Sequence, residues 1–292
     1  MQYDATAMRA LLLFHAMAAA LILAGSVSTQ AQDGQEASVT PWVDVHASRV
    51  RLIGGQAKSG DSRYLVGLEI VLGEGWKTYW RMPGDSGVPP SFDWAKSRNL
   101  ASAEVLYPPP SRMPEAGGVA IGYTGTVVLP IKVMSKDPGE PVQLKLALEF
   151  GICREICIPA LVNLDLDLVP GRVKPPPQEL TAALDAVPRP HHKRHARDPE
   201  LKRVRVVEGT SLLRIEFEGI FQGTAATADL FIEAPNGLYV PLPVRHVSAN
   251  SGGGVRFDAE LSADLAKDLK GKTLTLTLVD DAGASERRWT FP

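Results

Sequence analysis

The sequence predicts an all-β protein of two immunoglobulin-like β-sandwich domains, joined by a proline-rich linker that carries a short helix. Three observations predict it. Apolar and polar residues alternate at period two along most of the chain. Glycine and proline, 26 and 23 of the 292 residues, punctuate those runs as turns. Only two short stretches have helical composition. Strands with one wet face, separated by Gly/Pro/Asn/Asp turns, belong to antiparallel sheets rather than to layered α/β folds.

Taken in order, residues 1–31 read as a secretory signal peptide. Arg9 precedes the apolar run "ALLLFHAMAAALILAG", and Thr29-x-Ala31 supplies a small-residue end. The rival is an uncleaved anchor, because the run approaches the roughly 18 apolar residues that span a bilayer, but no stop-transfer flank follows. The mature chain is expected to be periplasmic, without membrane insertion, in an oxidising space.

The first sandwich is placed at 38–170, on alternating runs at 64–72, 126–134, 143–150 and 162–169. In "QLKLALEF" (143–150), Leu144, Leu146, Leu148 and Phe150 share a face; in "VNLDLDLV" (162–169), Leu164, Leu166 and Leu168 do. The linker, 171–198, holds a helical stretch at 176–187 bounded by prolines, then a basic cluster. The second sandwich is placed at 199–292, on runs at 201–208, 211–219, 254–261 and 272–280. A short helix at 261–271 has Ser262 as its cap and Gly271 as its stop.

The charge balance, 31 Lys and Arg against 33 Asp and Glu, gives no reason to expect nucleic acid as a partner. "HHKRH" (191–195) is read as a solvated basic linker. No neighbouring cysteine or carboxylate completes a metal-ligand set of usual spacing, so no metal site is assigned. Gly84-Asp85-Ser86-Gly87 imitates the nucleophile loop of a serine protease. That chemistry needs an upstream histidine and a buried carboxylate, and His46 is both too close and in the wrong setting.

Both cysteines, Cys153 and Cys157, lie in "FGICREICIPA" (150–160), between two strands that alternate alike. The strands should form a hairpin with the pair in or beside its loop, within the ~4.4–6.8 Å Cα separation a disulfide requires. A ring of about five residues contributes roughly 2 kcal/mol, against about 4.7 for a hundred-residue loop. A staple would be more useful between distant strands, so the position favours redox chemistry, with a structural bond as the alternative. Arg154 would lower a neighbouring thiol pKa and Glu155 would raise it, leaving no net direction. Copper(I) on two thiolates, with Met113 or the linker histidines, is a third reading.

The segments "GWKTYWRMPGDSGVPPSF", "YPPPSRMPEAGGVAIGYTGTVVLPIKV" and "LEFGICREICIPA" resemble the periplasmic N-terminal domain of the thiol:disulfide interchange protein DsbD, and most of all its ScsB branch, linked to copper tolerance. The resemblance spans roughly 40–170, and the second half looks like the additional sandwich of the ScsB branch. It implies an immunoglobulin-like domain in which Cys153 and Cys157 relay electrons without a cofactor, and Cys157 forms the mixed disulfide. Whether such a carrier counts as an enzyme is a matter of definition. The implied partners are a separate membrane thiol:disulfide transporter, since the chain reaches Pro292 without the family's membrane and thioredoxin-like domains, and periplasmic thioredoxin-fold proteins.

The resemblance places Ala116 near the aromatic position of a cap loop over the cysteines. Shielding is then expected to be looser or to come from Tyr123, Tyr79 or Trp76. Glu115 matches a position often acidic in the family. A non-redox interaction module with a structural disulfide is the alternative.

Overall fold

The computed structural model describes residues 38–55, 61–85, 87–115, 117–171, 175–209, 212–247 and 254–292. Residues 1–37, where a signal peptide is expected, and Ser86 and Ala116 lie outside the described residues. Among these residues the fold is all-β, as expected, with four sheets and two short helices.

Two six-stranded sheets form the first pair. One runs β1 (Ser38–Val39), β3 (Ser48–Gly55), β4 (Arg63–Leu72), β10 (Thr126–Ser135), β7 (Leu100–Val105), with β2 (Val43–Val45) on β3. The other runs β12 (Cys157–Leu168), β11 (Val142–Cys153), β5 (Lys77–Gly84), β9 (Gly118–Thr124), β8 (Ser111–Glu115), with β6 (Ser91–Asp93) on β11. Period-two alternation explains the packing: Leu144, Leu146, Leu148 and Phe150 of β11 enter one core with Leu52, Val66, Leu68 and Ile131 of the facing sheet.

The second pair has four strands in each sheet. Its sheets run β13 (Arg189–Pro190), β20 (Ala284–Thr290), β19 (Thr273–Val279), β16 (Asp229–Glu233), and β14 (Glu200–Glu208), β15 (Leu213–Ile220), β18 (Gly254–Leu261), β17 (Val244–Val247). Phe217, Phe257, Leu230 and Leu276 fill its core. Helix α1 (Gln178–Ala186) lays Leu180, fully buried, against Ile53 and Val128 on the outside of the first pair. Helix α2 (Ala263–Leu269) starts where expected: the Ser262 hydroxyl accepts from the Leu265 N–H, and Gly271 has φ +73°.

The two pairs share packing. Phe231, Val279 and Ala284 join the core of the first pair, and the rings of Trp80 and Phe231 lie 5.6 Å apart. Arg81 donates to both oxygens of Glu233, at 2.8 and 2.7 Å, and to Glu286 at 2.8 Å. Burial opposes the charge on Arg81, but these two carboxylates outweigh it and raise the guanidinium pKa. Arg112 makes the same kind of fork to Asp229 and donates to the Pro243 carbonyl at 2.8 Å.

The 191–195 stretch leaves His192, Lys193 and His195 exposed, but its backbone and Arg194 are anchored. His191–Lys193 form a 3-10 turn, Arg194 pairs with Glu200 at 2.9 Å, and the His195 N–H donates to Asp198, which is fully buried. Asp198 also accepts from Arg189, so a buried carboxylate gathers the chain here.

Candidate functional site

β11 and β12 pair along their full 12 residues, from Val142↔Leu168 to Cys153↔Cys157. A three-residue turn, Arg154–Ile156, closes the hairpin, and the Arg154 N–H donates to the Ile156 carbonyl at 3.1 Å. The cysteines face each other across the last register pair, Cα atoms 4.1 Å apart, and are bonded. The two residues differ in access: Cys153 is 1% exposed, Cys157 is solvent-exposed.

Alternation along β11 explains why Cys153 is buried on a face that elsewhere meets water. Leu148, Phe150 and Ile152 point into the core, so Glu149, Gly151 and Cys153 point outward. Glu149 is exposed, yet Gly151 and Cys153 are buried. A second, small cluster covers them on the outer face: Tyr79 from β5, Met113 from β8 and Ala120 from β9, packed with Cys153.

Tyr79 lies across this face, and its hydroxyl is 2.9 Å from the Cys157 sulfur. A bonded sulfur carries no hydrogen, so the tyrosine is the donor. Burial, and then the Glu115 carboxylate, raise the Tyr79 pKa, which keeps that donor protonated at neutral pH. Two glycines make room for the ring. A Cβ on Gly151 would sit 3.1 Å from Tyr79 Cε2, and one on Gly87 would sit 2.5 Å from Tyr79 Cδ1. The Thr78 hydroxyl donates to the Gly151 carbonyl at 2.9 Å and ties β5 to the end of β11.

Two further groups complete the outer face. Lys77 is the register partner of Cys153 and forms an ion pair with Glu115 at 2.6 Å, both side chains largely buried. Of the residues expected near the pair, Tyr79 therefore touches a sulfur and Glu115 sits one residue away, through Lys77. Trp76 and Tyr123 are not brought to the sulfurs. Trp76, just before β5, packs against the main core, and Tyr123 of β9 lies within it, its hydroxyl donating to the Pro108 carbonyl. Arg154 turns back against Gly75, where a Cβ would lie 3.4 Å from its Nε. Ile156, at the turn, is 70% exposed.

Lys77 was not anticipated. Its signal is its two-residue spacing from Tyr79, which puts both on one strand face, but only once 77–84 is known to be a strand.

A two-sandwich, all-β chain with a surface disulfide closing a hairpin is the class that fold and site define. Residues 54–168 match the family described as thiol:disulfide interchange protein DsbD, N-terminal, and this part of the chain is similar to that domain. The crystal structure of the N-terminal periplasmic domain of ScsB from Proteus mirabilis is similar over 88% of this chain and 99% of that one, with 24% identity and a TM-score of 0.66. A search of curated proteins found no match. Among the described residues, no helix is long and apolar enough to cross a membrane.

Proposed function

We propose that this chain is a periplasmic thiol–disulfide exchange protein. It relays electrons between a membrane thiol:disulfide transporter and thioredoxin-fold partners through Cys153 and Cys157. The site lies in a first domain, 38–170, with a second, 199–292, docked beside it. The observation that carries this reading is the asymmetry of the bonded pair: an exposed Cys157, held by a tyrosine donor, bonded to a buried Cys153.

Asymmetry of access sets the order of events. A partner thiolate attacks the Cys157 sulfur, a new sulfur–sulfur bond forms, the Cys153–Cys157 bond breaks, and its electron pair leaves on Cys153 as a thiolate. The partner's second thiolate then attacks its own sulfur in the mixed disulfide and Cys157 leaves. Two electrons have passed to the pair and the partner is oxidised. Run backwards, the same steps reduce the next partner. The similarity of 54–168 to the DsbD N-terminal family supports the chemistry.

The test is a trapped intermediate. Cys153→Ser should accumulate a mixed disulfide through Cys157 with a thioredoxin-fold protein, resolved by reductant on a gel. No adduct with reduced or oxidised thioredoxin-fold partners would sink the reading. One observation favours the copper(I) reading: Met113 packs with Cys153, so reduction would leave a thioether beside two thiolates. Stoichiometric Cu(I) retention by the reduced protein against a competing chelator would support it.

A further inference from the structure

The exchange just proposed leaves a negative charge on the buried sulfur, in a cluster whose other members are Tyr79, Met113 and Ala120. A thiolate in apolar surroundings is strongly disfavoured unless a cation or donor compensates it. The Tyr79 hydroxyl is committed to Cys157. Arg154 turns back against Gly75, and Glu155 is exposed at the turn with the wrong sign. Lys77 remains. It stands directly opposite Cys153 across the β5–β11 pair, so the two side chains leave the same face, with Cβ atoms about 4.5–5.5 Å apart as in any antiparallel pair. Its side chain is only 13% exposed, and Glu115 holds the ammonium at 2.6 Å.

We infer that Lys77 is the charge-compensating residue of the cysteine pair, stabilising the Cys153 thiolate when the disulfide opens, with Glu115 fixing its position and moderating its field. The inference rests on the exchange reading for its role in turnover, but its electrostatic content concerns the pair alone. A charge that favours the thiolate favours the reduced form, so Lys77 makes the disulfide easier to reduce. Glu115 works in the opposite sense: while it is ionised it offsets part of the lysine charge.

The experiment is equilibration of the whole chain with reduced and oxidised glutathione, read by thiol trapping, for wild type, Lys77→Met and Lys77→Arg. Methionine keeps the stem that packs on the sheet and removes the charge; arginine keeps the charge. Lys77→Met should lower the equilibrium constant for reduction about tenfold, ~30 mV toward more negative potential, and slow opening by glutathione in proportion. Lys77→Arg should restore most of both. An unchanged constant in Lys77→Met overturns the inference. So does an equal shift in the two variants, because that reports packing rather than charge. Glutathione serves as the reductant throughout, so a failure to form adducts with thioredoxin-fold proteins would remove the exchange reading without deciding this one.

Discussion

The β19–β20 hairpin of the second sandwich turns through Asp280–Gly283, and carboxylates lock it. Asp280 accepts from the backbone N–H groups of Gly223, Ala282 and Gly283, each at 2.9 Å, and Asp281 accepts from Thr224 at 2.8 Å. The β11–β12 hairpin of the first sandwich turns through three residues with a longer ladder behind it, 12 residues a strand against 7. It needs a lock less, yet a disulfide spans its last pair. The same fold therefore closes one tight turn with hydrogen bonds and puts sulfur across another that its ladder already holds. A five-residue ring contributes only about 2 kcal/mol. The contrast favours a bond kept for its chemistry.

The largest expected effect breaks that contrast at the sulfurs. Cys153→Ser should leave an exposed thiol that captures a partner without releasing it, and Cys157→Ser a buried one that captures far less. Adducts of equal yield from both variants, in a mixed-disulfide assay, would remove the asymmetry on which the order of attack depends.

Arg81 joins the two regions, linking β5, which also carries Tyr79, to Glu233 on β16 and Glu286 on β20. Its removal leaves two partly buried carboxylates uncompensated. Arg81→Ala should cost about 3 kcal/mol in urea unfolding, at the low end for broken buried pairs because the site keeps some solvent. Glutathione equilibrium should move little, since this clamp does not reach the sulfurs.

Comparable losses test the locks themselves. Asp280→Ala should cost about 1–3 kcal/mol, because three N–H groups lose their acceptor. Replacing both cysteines by alanine should cost no more than about 2 kcal/mol. A much larger loss from the cysteine pair, measured the same way, would return the disulfide to a structural role.

The smallest effect concerns the packing between the pairs of sheets. Burial holds the Tyr107 pKa up to about 12 and, with the neighbouring Tyr107, keeps that of Tyr123 well above its ordinary value. The unfolded chain releases these protons near pH 10 while the folded chain retains them. Stability is thus fully present below pH 10 and falls as pH rises from there toward 12. Within half a unit of pH 10 the loss should stay below about 1 kcal/mol per tyrosine. Tyr107→Phe should flatten the decline, followed by circular dichroism in urea.

Much of the scaffold was legible because its strands have one wet face. β4, β10, β11, β12, β15 and β18 announce themselves by alternation, and α2 by Ser262 and Gly271. The hairpin and its cysteines followed from two such strands in sequence. The rest of the site was not legible by pattern. β5 is buried at Thr78, Tyr79 and Trp80 in succession, because the small outer cluster covers one face and the core the other. Its pairing with β9 is then interrupted, jumping from Tyr79↔Gly122 to Gly84↔Ala120, and the residues between bulge out with Arg81 toward the second sandwich. Burial on both faces and a bulge both erase period two. Trp76 and Tyr123 looked like shields because aromatic residues sit beside the motif, but both pack against the main core, Tyr123 because its strand parity sends it inward. Lys77 read as a surface charge. Only its register with Cys153, a contact made far along the chain, gives it meaning.

The most direct test is the reduction potential of the Cys153–Cys157 pair, by thiol trapping across a series of glutathione buffers. A bond kept for exchange should equilibrate above about −250 mV, within reach of thiol donors and acceptors. A potential below about −300 mV, resistant to the glutathione pool, would contradict it and mark the disulfide as a staple of the hairpin.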